Sequence, residues 1–246
     1  MGSQPEPTSI LGTAEPAREP SPRDRRALYE LTLLTAILLL TLILSLYSGQ
    51  DVFILGYVAA IVYALRGPLL RHRSWQDLGL KRGFVKDFKR VWYYFAIDAL
   101  LFQTLPPTLG IALVLGYYPE LLNHITGRIS VNFGSLQSVS TVGGLLAAAL
   151  VLTLMEEVVF RVTLQERLSW FIGTPAAILF ATAVFGLAHA VGTSGSLQVV
   201  STDVANVAID GAFFGTIYSK THNLALTWAT HYIADVVGLI ALLFIL

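Results

Sequence analysis

The chain has 246 residues, 54% of them hydrophobic and only 13% charged, and its mean hydropathy of +0.65 is too apolar for a soluble domain of this size. No cysteine is present, so disulfides, thiolate metal sites and a cysteine nucleophile are excluded together. Sixteen basic residues offset sixteen acidic ones, and nothing in that balance points to nucleic acid as a partner.

Residues 1–23 hold five of the ten prolines with Ser, Thr and Glu between them, a composition that buries too little surface to fold and predicts a disordered tail. Glu6 stands where N-myristoylation needs Ser or Thr, so no lipid anchor is expected there. Arg23, Arg25 and Arg26 then precede an apolar stretch at about 31–47, which lacks a small-residue cleavage site and reads as a retained first span. A second apolar run covers 52–65. From Arg66 to Arg90 basic residues outweigh Asp77 and Asp87, and the positive-inside rule places this segment and the N-terminus together in the cytoplasm. Further spans are expected at about 91–115, kinked by Pro106 and Pro107, and then at 139–168, 175–190, 199–218 and 224–246. The expected architecture is an all-α, polytopic transmembrane bundle of about seven spans, with Gly143, Gly144, Gly211 and Gly215 letting helix backbones approach closely. No internal repeat is visible, which weakens a transporter built from duplicated halves.

Glu156, Glu157 and Arg161 sit inside the fourth span, where each ionisable group near the midplane costs roughly 2.5–3.5 kcal/mol, so function is the default reason for keeping them. Glu157 and Arg161 are four apart, share a helix face and can neutralise each other, while Glu156 points about 100° away. The fifth span repeats the four-residue spacing with Phe185 and His189, and the last with His231 and Asp235. At about 1.5 Å per residue, Glu156 lies ~18 Å above Leu168, His189 ~21 Å above Pro175, Asp235 ~16 Å above Leu224 and His231 ~10 Å above it. The four groups can therefore meet in one polar pocket, which this count opens toward the cytoplasm. Each also has a structural alternative: Glu157 with Arg161 as a buried ion pair, either histidine as a packing residue bonded to a carbonyl, and Asp235 as a residue that only orients His231.

In order along the chain, Glu156-Glu157-x-x-x-Arg161, Phe185-x-x-x-His189 and His231-x-x-x-Asp235 resemble the signature of the CAAX protease and bacteriocin-processing family, also called the CPBP or ABI family. Gly211 to Tyr218 with Asn223 and Leu224 is similar to the glycine-containing helix between its second and third motifs. The stretch from Ser74 to Leu80 resembles its Leu-Gly-Leu element. The resemblance covers about 74–246 and implies one integral membrane peptidase domain over 24–246, with a motif-bearing core at about 139–246. One departure is Asp235, where members often carry Asn: an ionised Asp cannot donate the hydrogen bond that an oxyanion needs.

What the resemblance implies is an intramembrane endopeptidase, similar to the type II CAAX prenyl endopeptidase, acting on a membrane-associated protein or peptide that is prenylated or a bacteriocin-type precursor. Glu156 is the expected base for a water molecule, and His189 holds that water directly or through a metal. His231 either completes a metal site or stabilises the oxyanion, and Arg161 with Glu157 fixes the geometry. His189, His231 and Glu156 make a possible Zn2+ set, yet a Glu and His pair without metal is chemically sufficient. Substrate reaches the site from the cytoplasmic side or laterally from the bilayer. Two other classes compete: a non-catalytic scaffold or proton-coupled carrier using the same buried carboxylates, and a rhomboid-like serine peptidase with Ser194 of Gly192-Thr193-Ser194-Gly195 as nucleophile and His231 as base. The last is discounted because Ser194 falls in a loop where Gly and Ser are ordinary turn residues.

Overall fold

The computed structural model of the protein describes residues 25–70, 79–80, 88–98, 105–133 and 139–245. Among them every regular element is helical: α1 (Arg25–Ser48), α2 (Phe53–Leu70), α3 (Phe88–Ile97), α4 (Leu105–Val114), α5 (Tyr118–Phe133), α6 (Val139–Glu156), a π-helical segment (Glu157–Gln165), α7 (Glu166–Ile172), α8 (Thr174–Ala188), α9 (Leu197–Thr221) and α10 (Leu224–Ile245). The all-α class follows from the solvent. Hydrocarbon offers no partner to a backbone N–H or C=O, and a helix satisfies both internally.

Leu28–Ser48, Val142–Ile172 and Leu224–Leu242 are long and apolar enough to cross a membrane, and Phe53–Arg66 and Thr174–Ala188 are shorter apolar helices. Large apolar side chains such as Leu33, Leu40 and Ile43 on α1 and Leu179 on α8 stand on the outside of the molecule, where acyl chains rather than water would cover them. The protein is an integral membrane protein. These lengths do not by themselves establish seven crossings, since α9 carries Asp203, Asp210 and Lys220 and α3 and α4 have ten residues each. The Pro-rich tail at 1–23 and most of the basic segment, including Ser74 to Leu78, lie outside the described residues.

Three local expectations are revised. Pro106 and Pro107 occupy the first turn of α4, where a missing N–H costs nothing, so they begin a helix rather than kink one. The two ends of the expected 91–115 span take different partners: α3 packs on α10, and α4 on α5 and α9. Between α4 and α6 lies α5, an amphipathic helix that the span pattern did not anticipate. A Cβ on Gly143 or Gly144 would meet nothing within 4 Å among the described residues, so neither brings described helices together, whereas a Cβ on Gly211 would lie 2.8 Å from the Phe185 ring. Gly211 thus admits an aromatic ring into the seam between α8 and α9.

Packing in lipid is driven by van der Waals fit rather than by water. Leu34, Leu38 and Leu42 of α1 and Ala60 of α2 enclose Phe160 and Leu164 of the π-helical segment and Val184 and Phe185 of α8. Inside that segment the backbone N–H of Glu166 bonds to Arg161 O, five residues back, and Thr163 Oγ1 donates to Val158 O at 2.8 Å. The widened turn lets eight of its nine residues be buried, charged Glu157 and Arg161 among them.

The helices give the molecule two distinct ends. Glu30 near the start of α1 pairs with Arg66 near the end of α2, and Gly79 O accepts the Leu224 N–H at 2.9 Å, so the basic segment meets the start of α10. His222 Nδ1 lies 3.4 Å from Glu166 at that same end. The α1–α2 turn at Gly49–Asp51 and the loop before α9 form the other end.

Candidate active site

Glu156 ends α6 and Glu157 opens the π-helical segment, so two consecutive carboxylates leave the backbone in different directions. Glu157 is fully buried and serves two partners. Its Oε2 lies 3.3 Å from Arg161 Nε, and its Oε1 accepts a hydrogen bond from His231 Nδ1 at 2.8 Å. Glu156 instead faces a cavity, with Oε1 4.0 Å from His189 Nε2 and Oε2 3.6 Å from His231 Nε2. Asp235 Oδ1 is 3.7 Å from that same His231 nitrogen. All six residues singled out in the sequence therefore gather around two imidazoles.

Partners decide the tautomers. A backbone carbonyl only accepts, so His189 Nδ1, 2.9 Å from Phe185 O, is the protonated nitrogen and donates. His231 Nδ1 donates in the same way to the Glu157 carboxylate. Both rings consequently turn Nε2 toward Glu156, with orientation fixed from behind. Phe214 stacks on His231 with centroids 4.4 Å apart, and the Phe185 edge meets His189 at 4.7 Å and His231 at 6.0 Å. Arg161 places its Cζ 5.2 Å over the Phe185 ring, so the buried cation and both imidazoles share one aromatic wall.

Two cavities meet at Glu156 and His189. An inner cavity of about 280 Å³ is lined by these two residues with His231, Asp235, Asn206 and apolar side chains from α5, α6, α9 and α10. An outer cavity of about 970 Å³ continues from them to Gly49 and Asp51 in the α1–α2 turn and to Gly192–Ser196 before α9. Water and a peptide bond can reach Glu156 from one side while apolar groups enter from the other.

Several residues at this site escaped the sequence reading. Phe214 had no readable signal. Asp203, Asn206 and Asp210 did have one: they recur at the helical period on one face of an otherwise apolar α9. Asp98, at the end of α3, is buried with an Oδ1 that has no hydrogen-bond partner among the described residues, and it interacts electrostatically with His231 and Asp235. A second pair lies beside the loop before α9, where buried His124 Nε2 is 3.2 Å from Asp203 Oδ2 and Nδ1 donates to Ser194 O at 2.8 Å. Ser194 lines the outer cavity and His231 the inner one, and no hydrogen bond joins them among the described residues. That arrangement does not make His231 the base for Ser194, as the serine-peptidase alternative expects.

Glu156, His189 and His231 are donor types that suit Zn2+. Among the described residues, however, no group of three or more His, Asp or Glu is arranged to hold a metal ion.

Comparison with known proteins gives one match. No curated protein and no solved structure matches the chain. A family model described as type II CAAX prenyl endopeptidase Rce1-like matches residues 138–237, a stretch that contains Glu156, Glu157, Arg161, His189, His231 and Asp235. Over those residues the chain is similar to the Rce1-like type II CAAX prenyl endopeptidases.

Proposed function

We propose that the protein is an intramembrane endopeptidase that hydrolyses a peptide bond in a membrane-associated, prenylated CAAX protein or peptide precursor, using water activated by Glu156. The observation that carries this reading is the pair of imidazoles, each with Nδ1 committed as a donor and Nε2 turned toward Glu156. Glu156 takes a proton from the water while its oxygen attacks the carbonyl carbon, and the C=O pair moves onto oxygen. Collapse of that tetrahedral species re-forms C=O, breaks C–N and returns the proton from Glu156 to the leaving amine. His189 Nε2 accepts a hydrogen bond from the water and holds it in line. His231, fixed by Glu157 and Phe214, positions Asp235 and the far side of Glu156. Arg161 offsets the Glu157 charge. No step is routed through a metal, and a zinc requirement is settled by the same assay.

The test incubates the purified protein with prenylated and unlipidated CAAX peptides and with bacteriocin-type precursors, with and without chelator. Cleavage lost in Glu156→Gln supports the reading, and inhibition by chelator that zinc restores would add the ion to it. Turnover by no peptide, with a phenotype in cells untouched by Glu156→Gln, would leave a scaffold or carrier instead.

A further inference from the structure

We infer that His124 is a positioning residue for this reaction: with Asp203 behind it, the imidazole holds the Gly192–Ser196 loop as the wall along which a substrate reaches Glu156. The inference rests on the hydrolytic reading above. His124 comes from α5, which lies outside the stretch that matches the family model, and neither it nor Asp203 touches the catalytic imidazoles' own partners. All five residues from Gly192 to Ser196 line the outer cavity, which continues to His189 and Glu156. Most of the loop is exposed, and Thr193 directs both its backbone N–H and its hydroxyl to Ala190 O within its own turn. A segment with so little buried apolar surface opens at low cost unless something outside it fixes it. Two side chains of α5, one helical turn apart on one face, reach it: Glu120, with Oε2 3.5 Å from Ser196 Oγ, and His124, whose Nδ1 donates to Ser194 O at 2.8 Å.

The His124 contact is the buried one. A carbonyl only accepts, so Nδ1 carries a proton. Nε2 lies 3.2 Å from Asp203 Oδ2, and the hydrogen bond between them holds one further proton, on the ring or on the carboxylate. Both nitrogens are therefore engaged, one by the loop and one by α9, and the two side chains are only 2% and 3% exposed. The loop closes onto the ring because residue 195 is glycine: a Cβ there would stand 3.2 Å from His124 Nδ1. Asp203 also lines the inner cavity, so the same pair joins the wall of one cavity to the wall of the other. A peptide threading the outer cavity toward Glu156 lies against a loop whose place is set by one imidazole.

The experiment replaces one end of the imidazole at a time. His124→Asn puts an amide nitrogen where Nδ1 stands and keeps the bond to the loop, whereas His124→Gln puts one where Nε2 stands and keeps Asp203. Each is scored for kcat and KM on the cleaved peptide, for melting temperature in detergent, and for the rate at which an added protease nicks the chain between Ala190 and Leu197. One hydrogen bond changes an equilibrium by about 3- to 10-fold, so His124→Gln should raise KM and the nicking rate by that factor. Its kcat should stay near wild type, the pattern of lost binding rather than lost chemistry. His124→Asn should keep KM and nicking within about 2-fold of wild type yet melt lower, because Asp203 loses the ring. Gly195→Ala presses on the same contact with the buried pair intact, and should raise KM as His124→Gln does even if His124→Asn does not fold. A KM that follows melting temperature across the variants, or nicking unchanged in His124→Gln, overturns the inference while cleavage by wild type keeps the hydrolytic reading. A wild type that cleaves none of the peptides removes both together.

Discussion

Glu156 and Glu157 are neighbours in sequence and opposites in task. Glu157 is sealed between Arg161 and His231, and the Arg161 terminal nitrogens have no hydrogen-bond partner among the described residues, so the carboxylate is what makes that buried cation tolerable. Removing one member of a buried ion pair costs about 3–5 kcal/mol, because the partner charge remains without compensation. Glu157→Gln should therefore lower the melting temperature markedly and reduce the yield of folded protein. Glu156 touches no fixed cation, and Glu156→Gln should melt like wild type while peptide cleavage drops by at least ~10²-fold. Thermal unfolding and turnover measured on both variants check the pair; a Glu156→Gln protein that is as unstable as Glu157→Gln would make Glu156 a packing residue. The ionisable residues were legible at this scale because lipid makes each of them conspicuous. Phe214 was not, since one more aromatic side chain is ordinary in a membrane helix and only its stacking on His231, with centroids 4.4 Å apart, gives it a place at the site.

At the scale of the elements, the seam between α8 and α9 governs the site. A Cβ on Gly211 would stand 2.8 Å from Phe185 Cδ1, and Phe185 is the wall against which His189, His231 and Arg161 are set. Overpacking of a filled seam costs about 1–3 kcal/mol. Gly211→Ala should lower the melting temperature and also kcat, because the ring has to move toward the imidazoles. Gly143→Ala, with nothing within 4 Å, should leave both within error and serves as the control. Equal effects of the two substitutions would mean that the seam does not act through Phe185. Most helices could be placed from apolar runs alone, as α1, α2, α8 and α10 illustrate. The exceptions were α5 and the 91–115 region, where helices that pack on other helices carry Glu120, His124 or a pair of prolines and so lack the uniform apolar signature of a lipid-facing span. The π-helical turn was invisible too: Glu157 and Arg161 at four apart share a face in an α-helix, and the wider turn changes only how many of their neighbours are buried.

At the scale of the whole molecule, the distribution of charge bears on which side of the membrane the outer cavity faces. Its mouth is built by Gly49, Asp51 and Glu120 and the loop Gly192–Ser196, at the end opposite Arg66, Lys89, Arg90, Arg167 and Lys220. Positive charge marks the cytoplasmic end of a membrane helix bundle. The two expectations drawn from the sequence, a cytoplasmic basic segment and a pocket open to the cytoplasm, thus point to opposite ends of this fold. Helix rise fixes depth alone, and the charge asymmetry predicts a mouth on the non-cytoplasmic side. The absence of cysteine makes the matter directly measurable, since any introduced thiol is the sole one in the chain. Gln50→Cys and Gln198→Cys at the mouth end should react with a membrane-impermeant maleimide from the non-cytoplasmic face of sealed vesicles. Lys89→Cys and Lys220→Cys should react only from the cytoplasmic face. Substrate arriving through the outer cavity would then come from the non-cytoplasmic side, and a substrate confined to the cytoplasmic leaflet would have to enter laterally between helices. Labelling in the reverse sense would turn the mouth to the cytoplasm and show that the basic segment does not set the orientation. Labelling of all four positions from one face would dissolve the two-ended arrangement itself.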